Sequence, residues 1–117
     1  MKILIIGKGY LGTRCAESWD DVVLSDKIVE TVADVEELIN THNPDLIITD
    51  IMMPFVSGLE VISHVRNKLN NETPIIVFSA AGQEEMVLKA FNLGANDFMG
   101  KPFSPNELVI RVKRLLG

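Results

Sequence analysis

Five short apolar runs divide the chain: Ile3-Leu4-Ile5-Ile6, Val22-Val23-Leu24, Leu46-Ile47-Ile48, Ile75-Ile76-Val77-Phe78 and, more weakly, Ala95 to Met99. Each is continuous where a half-exposed strand would alternate, the pattern of strands covered on both faces. Between them lie stretches with apolar residues three and four apart. Five strand-to-helix alternations without linker, repeat or low-complexity segment predict a single α/β domain over 1–117, a three-layer sandwich around a parallel sheet.

The helices carry start and stop signals. Thr13 to Trp19 reads as the first helical stretch. A second is predicted from Asp34, with Glu37 closing a capping box and Val35, Leu38 and Ile39 facing the sheet; Asn43-Pro44 ends it. Ser57-Gly58-Leu59-Glu60 offers another box, opening a helix that buries Leu59, Ile62, Val65 and Leu69 and stops at Asn70-Asn71. Gln83 to Leu93 turns Met86, Val87, Ala90 and Phe91 inward and stops at Gly94. Ser104-Pro105-Asn106-Glu107 starts the last helix, with Leu108, Val112 and Leu115 inward.

Chemistry collects where strands end, since open α/β sheets bind ligands at their carboxyl edge. The third strand, framed by Pro44 and Pro54, ends in Asp50; the fourth ends in Ser79; Lys101-Pro102 follows the fifth. Taken singly, these residues are a turn former, a small turn residue and a solvated charge. After the first strand comes Gly7-Lys8-Gly9-Tyr10-Leu11-Gly12, and Asp26 follows the second strand. A glycine fingerprint between strand and helix, with an acid about 20 residues on, suits a pyrophosphate and a ribose hydroxyl. The same glycines also serve a turn that binds nothing.

Two resemblances follow from these residues. Residues 1–43 resemble the first β-α-β unit of Rossmann-type NAD(P)-binding enzymes, notably nucleotide-sugar reductases and epimerases, with Gly7, Gly9, Gly12 and Asp26 as cofactor-binding residues. From about 44 to 117 the text Pro-Asp-Leu-Ile-Ile-Thr-Asp-Ile-Met-Met-Pro, Gly58-Leu59, Pro-Ile-Ile-Val-Phe-Ser-Ala and Gly-Ala-Asn-Asp-Phe-Met-Gly-Lys-Pro-Phe resembles the receiver domain of two-component response regulators. That resemblance implies a flavodoxin-like sheet of strand order 2-1-3-4-5. It implies that Asp50 is a phosphoacceptor, that Ser79 and Lys101 bind phosphoryl oxygens, and that Phe98 is an aromatic switch. The Lys101-Pro102 bond is then a candidate cis peptide. A histidine kinase, and an output partner docked on the last two helices and fifth strand, are the implied partners.

One departure bears on activity. Receivers carry two adjacent acids after the first strand to hold Mg²⁺; here Gly7 and Lys8 stand there. Asp50 and the Met52 backbone carbonyl remain as metal ligands, which implies weak Mg²⁺ binding and impaired phosphorylation. The Lys8 ammonium could replace part of that charge by pairing with Asp50. The join of two resemblances implies an engineered or recombined chimera that needs no activity of its own. Nucleotide binding through the glycine loop is the alternative, although Asp50 beside that loop would repel a pyrophosphate. A dehydrogenase is not expected: Tyr10 is followed four residues later by Arg14, giving no Tyr-x-x-x-Lys pair.

Composition narrows the partners. The 117 residues are 47% hydrophobic with a net charge of −5 and no basic run, which argues against nucleic acid or an anionic membrane. The four-residue apolar run after Lys2 is too short for a signal peptide or a span, and a single cysteine, Cys15, fits a reducing cytoplasmic setting. Cys15, Trp19 and the Met52-Met53 pair read as packing residues. His42 and His64, without acids or cysteines at metal spacing, read as surface or helix-end residues.

Overall fold

The computed structural model describes residues 2–6, 21–25, 30–53, 55–100 and 105–116. The predicted Thr13–Trp19 helix, Cys15 and Trp19 lie outside them. Five parallel strands, β1 (Lys2–Ile6), β2 (Asp21–Ser25), β3 (Leu46–Asp50), β4 (Ile75–Ser79) and β5 (Asp97–Gly100), form one sheet in the order β2-β1-β3-β4-β5. The Asp50 strand therefore docks on β1, with Ile5 opposite Ile48 and Ile6 opposite Thr49. Lys2 N–H donates to the Asp45 carboxylate at 2.7 Å, fastening the start of this ladder.

Strand alternation divides the apolar runs between two cores. Leu4, Ile6, Ile47, Ile75 and Val77 pack with the helices α1 (Val32–His42), α2 (Gly58–Ser63) and α3 (Glu84–Leu93). Ile3, Ile5, Leu46, Ile48, Ile76 and Phe78 pack with Leu108 and Val112 of α4 (Pro105–Leu116). Burial on both faces explains why the runs do not alternate.

Several local expectations are corrected. Helix α1 is capped by Thr31, three residues before the predicted start. Asp34 occupies the third helical position, and its carboxylate accepts from Thr31 N–H at 3.1 Å and Glu30 N–H at 3.0 Å. Asp34 can close a box as well as open one, because its carboxylate reaches a backbone amide from either position. Asn43 ends α1 in the left-handed region (φ 45°), its N–H bonded to the Ile39 carbonyl at 2.7 Å.

Ser57 caps α2, accepting from Glu60 N–H at 3.2 Å. The helix buries Val61, Ile62 and Val65, with Leu59 and Leu69 only partly covered. It then widens into a π turn, His64–Lys68, where the Leu69 N–H reaches the His64 carbonyl. In α3, Val87 and Ala90 are buried while Phe91 is 40% exposed, a correction to its inward assignment. Gly94 ends that helix at φ 118°. The fifth strand starts at Asp97, because the Ala95 N–H still bonds the Ala90 carbonyl and Asn96 braces Ile75 from both its N–H and its side-chain oxygen.

Arg66, in the π turn, fastens this end of the fold. Its guanidinium donates to the carbonyls of Gly94 (3.1 Å), Asn71 (2.7 Å) and Thr73 (2.8 Å) and to Asn96 Oδ1 (2.8 Å). Partial burial lowers its pKa from the ordinary arginine value, opposed by the charge of Glu72. His64 is also more enclosed than expected. Its side chain is 12% exposed, and Nε2 lies 3.7 Å from Glu36 Oε2. Among the described residues no helix is long and apolar enough to cross a membrane.

Candidate phosphoacceptor site

Asp50 is the last residue of β3 and Ser79 the last of β4, and each is only 5% exposed. The two strands are neighbours, with Asp50 opposite Phe78, so both side chains belong to the same carboxyl edge. Ser79 pairs in turn with Gly100 at the end of β5, and Lys101 is the next residue in the chain. The placement of Lys101 and of the Lys101-Pro102 bond lies outside the described residues, as do Gly7, Lys8, Gly9, Gly12 and Asp26.

The backbone around Asp50 is fixed at three points. Thr49, fully buried, donates its hydroxyl to the Asp50 carbonyl at 3.1 Å. Pairing runs past the strand end, with Ile51 N–H bonded to the Phe78 carbonyl at 3.0 Å. The chain then loops out through Met52, 58% exposed, and returns at Gly58, whose N–H bonds the Ile51 carbonyl at 2.6 Å. Gly58 rests on the Asp50 carbonyl so closely that a Cβ has no room. This contact is invisible in sequence, where Gly58 reads only as part of a helix start.

Beside Ser79 the turn is held by Gln83. Its Oε1 accepts from Ala80 N–H at 2.7 Å and its own N–H donates to the Ala80 carbonyl. The small exposed residues Ala80, Ala81 and Gly82 leave the approach to Ser79 open. Phe98 is 39% exposed and meets Phe91 edge to face, ring centroids 6.0 Å apart. With Leu88 and Ile110, 66% and 60% exposed, these rings line the outside of α3, β5 and α4. Below them Arg111 grips Asp97 with two bonds of 2.8 and 2.9 Å and Glu107 with two of 3.0 and 3.3 Å; these bonds raise the Arg111 pKa, Asp97 contributing most.

Mg²⁺ is the cation that the resemblance implies at this edge. That ion wants a near-octahedral shell of oxygens drawn from one or more carboxylates. Among the described residues no three His, Cys, Asp or Glu side chains gather where an ion could be held, and the two positions after β1 are a glycine and a lysine. Of the expected ligands, Asp50 and Met52 are among the described residues.

Comparison with known proteins agrees with this geometry. The sequence profile described as "Response regulator receiver domain" matches residues 15–113. The transcriptional regulatory protein ResD of Bacillus subtilis is 47% identical over 74 residues, covering 63% of this chain and 30% of that protein. The phosphate regulon transcriptional regulatory protein PhoB of Escherichia coli is 38% identical over 87 residues, 71% of this chain and 38% of PhoB. The matched part of the chain thus spans about a third of the length of these relatives. Among solved structures, the receiver domain of the Francisella response regulator 1452 superposes with a TM-score of 0.81 at 32% identity, over 98% of this chain and 95% of that one. The receiver domain of the TMAO respiratory system response regulator TorR gives 0.82 at 25% identity, over 98% and 95%. The chain belongs to the response regulator receiver domain family.

Proposed function

We propose that this chain is a receiver module that accepts a phosphoryl group on Asp50, slowly for want of metal-binding acids, and passes the change to a partner on the α3-β5-α4 face. The observation that carries the reading is the pair of buried polar residues, Asp50 and Ser79, on adjacent strand ends. A carboxylate oxygen of Asp50 attacks the phosphorus of a phosphohistidine donor. The N–P bond breaks, its electron pair returns to the imidazole, and an acyl phosphate forms. Ser79 donates its hydroxyl to one phosphoryl oxygen and Lys101 pairs with another as a point charge.

Positioning and charge neutralisation supply nearly all of the catalysis in phosphoryl transfer. With Gly7 and Lys8 in place of acids, the first is retained and the second is curtailed. The exposed Leu88, Phe91, Phe98 and Ile110 support the partner face, and Phe98 is the switch residue on it. The relatives named as transcriptional regulators are about twice as long as this chain, and no DNA contact is proposed for the acidic segment itself.

Dinucleotide binding through Gly7, Gly9, Gly12 and Asp26 is the second reading; the three glycines precede the residues matched by the receiver profile, 15–113, whereas Asp26 falls within them. Incubation with acetyl phosphate and Mg²⁺, followed by intact mass, tests the first reading. The double variant Gly7→Asp, Lys8→Asp should label about tenfold faster than the parent, and Asp50→Asn should not label. Equal rates for parent and double variant would remove the impairment; an unlabelled double variant would remove Asp50 as acceptor. A rise in melting temperature with NAD or NADP that Gly9→Ala abolishes would favour the dinucleotide.

A further inference from the structure

We propose that His64 and Glu36 form a proton-operated tie between α1 and α2. The Nε2 atom of His64 is buried and, among the described residues, has no hydrogen-bond partner. A buried polar atom left in this state is uncommon and asks for a cause. Its nearest charged neighbour is Glu36 Oε2 on α1, at 3.7 Å, just beyond hydrogen-bonding length. When Nε2 is unprotonated, its lone pair faces a carboxylate and gains nothing from the approach. Protonation places an N–H with positive charge there instead, and a charge-assisted bond then closes the gap.

The surroundings allow that movement. Glu36 is 42% exposed and free to change rotamer, and a groove of about 340 Å³ lined by Val32, Glu60, Ser63, His64, Asn67 and Lys68 adjoins the imidazole. Among the described residues, the charged groups facing it are Glu36 from α1 and, from its own stretch of chain, Glu60 and Lys68, which are of opposite sign. Helix α3, packed on the other side of α2, carries Glu84, Glu85 and Lys89, all exposed and none lining the groove. His64 also opens the π turn, a local widening that recurs at functional positions. The other end of α2 begins at Gly58, against the backbone of Asp50 and Ile51. The tie thus anchors the far end of the helix that supports the acceptor loop.

The tie is present at low pH and lost as pH rises. Amide hydrogen exchange of the parent, Glu36→Gln and His64→Gln, measured at pH 5.5 and pH 8 and corrected for intrinsic rates, tests it. Acidification should raise protection along the α1–α2 seam about three- to fivefold more in the parent than in either variant, the scale of a partly exposed ion pair. His42, at the end of α1, is common to the parent and Glu36→Gln, so its contribution cancels in that comparison. The same pH response in the parent and Glu36→Gln would overturn the proposal, and that comparison decides even where His64→Gln fails to fold.

Discussion

Replacing Gly58 by alanine tests how rigidly the fold holds its acceptor. An alanine Cβ at this position would lie 2.8 Å from Ile51 Cα and 3.0 Å from the Asp50 carbonyl carbon, and closer still to the Asp50 carbonyl oxygen. Carbon atoms in ordinary contact sit about 3.5–4.0 Å apart, so the start of α2 must retreat by about 1 Å. A retreat of that size stretches the 2.6 Å bond from Gly58 N–H to the Ile51 carbonyl beyond useful length. Losing it costs about 1 kcal/mol, and displaced packing at a buried contact costs about 1–3 kcal/mol more.

Alanine is the better helix former by up to about 1 kcal/mol, which offsets part of this. The net destabilisation is therefore about 1–3 kcal/mol, a fall in melting temperature of roughly 5–12 °C for a domain of this size. Urea denaturation gives the first number, and acetyl phosphate labelling of the still-folded variant gives the consequence for Asp50. The strain acts on the backbone that carries the carboxylate, so labelling should slow as well. An unchanged or raised urea midpoint for Gly58→Ala would refute the close-contact argument, because propensity alone would then have won.

Two further substitutions separate buried from exposed polar contacts, both read by urea denaturation. Arg66→Met keeps the aliphatic stem against Gly94 but removes four donors from three carbonyls and Asn96; the expected loss is about 2–4 kcal/mol, since hydrogen bonds from a charged group are the strong kind. Arg111→Met should cost about 1–2 kcal/mol through its two bonds to the part-buried Asp97, whereas Glu107→Gln, on an exposed partner one helical turn away, should cost under about 0.5 kcal/mol.

The features legible in sequence are those set by neighbours a few residues away. The isoleucine-rich runs, the left-handed caps at Asn43 and Gly94, and the Ser57 cap each follow from local stereochemistry. The strand ends at Asp50 and Ser79 could be read for a similar reason: an apolar run stops where a polar side chain must face solvent or a ligand. The features that stayed hidden depend on distant partners. Nothing in the sequence around Arg66 announces its partners, because Gly94 and Asn96 are 28 and 30 residues away. His64 reads as a surface histidine because nothing in its own helix announces the packing of α1 over it. The misplaced start of α1 is different in kind, since Thr31 and Asp34 are both good caps and only the backbone decides between them.

The contacts that hold the Asp50 backbone come from its own strand, its neighbour β4 and the loop that follows. Thr49, Ile51 and Gly58 hold the Asp50 backbone through contacts that make no use of residues 7 and 8. Three carboxylates at one sheet edge repel each other unless a cation lies between them. Gly7 and Lys8 stand in the sequence where receivers carry two of these acids, a change of two negative charges lost and one positive gained. Under the proposed function, the charge change that spares the resting protein this repulsion also slows phosphoryl transfer, and labelling of Gly7→Asp, Lys8→Asp reads that cost. Selection or design for stability alone would accept it; selection for rapid phosphorylation would not.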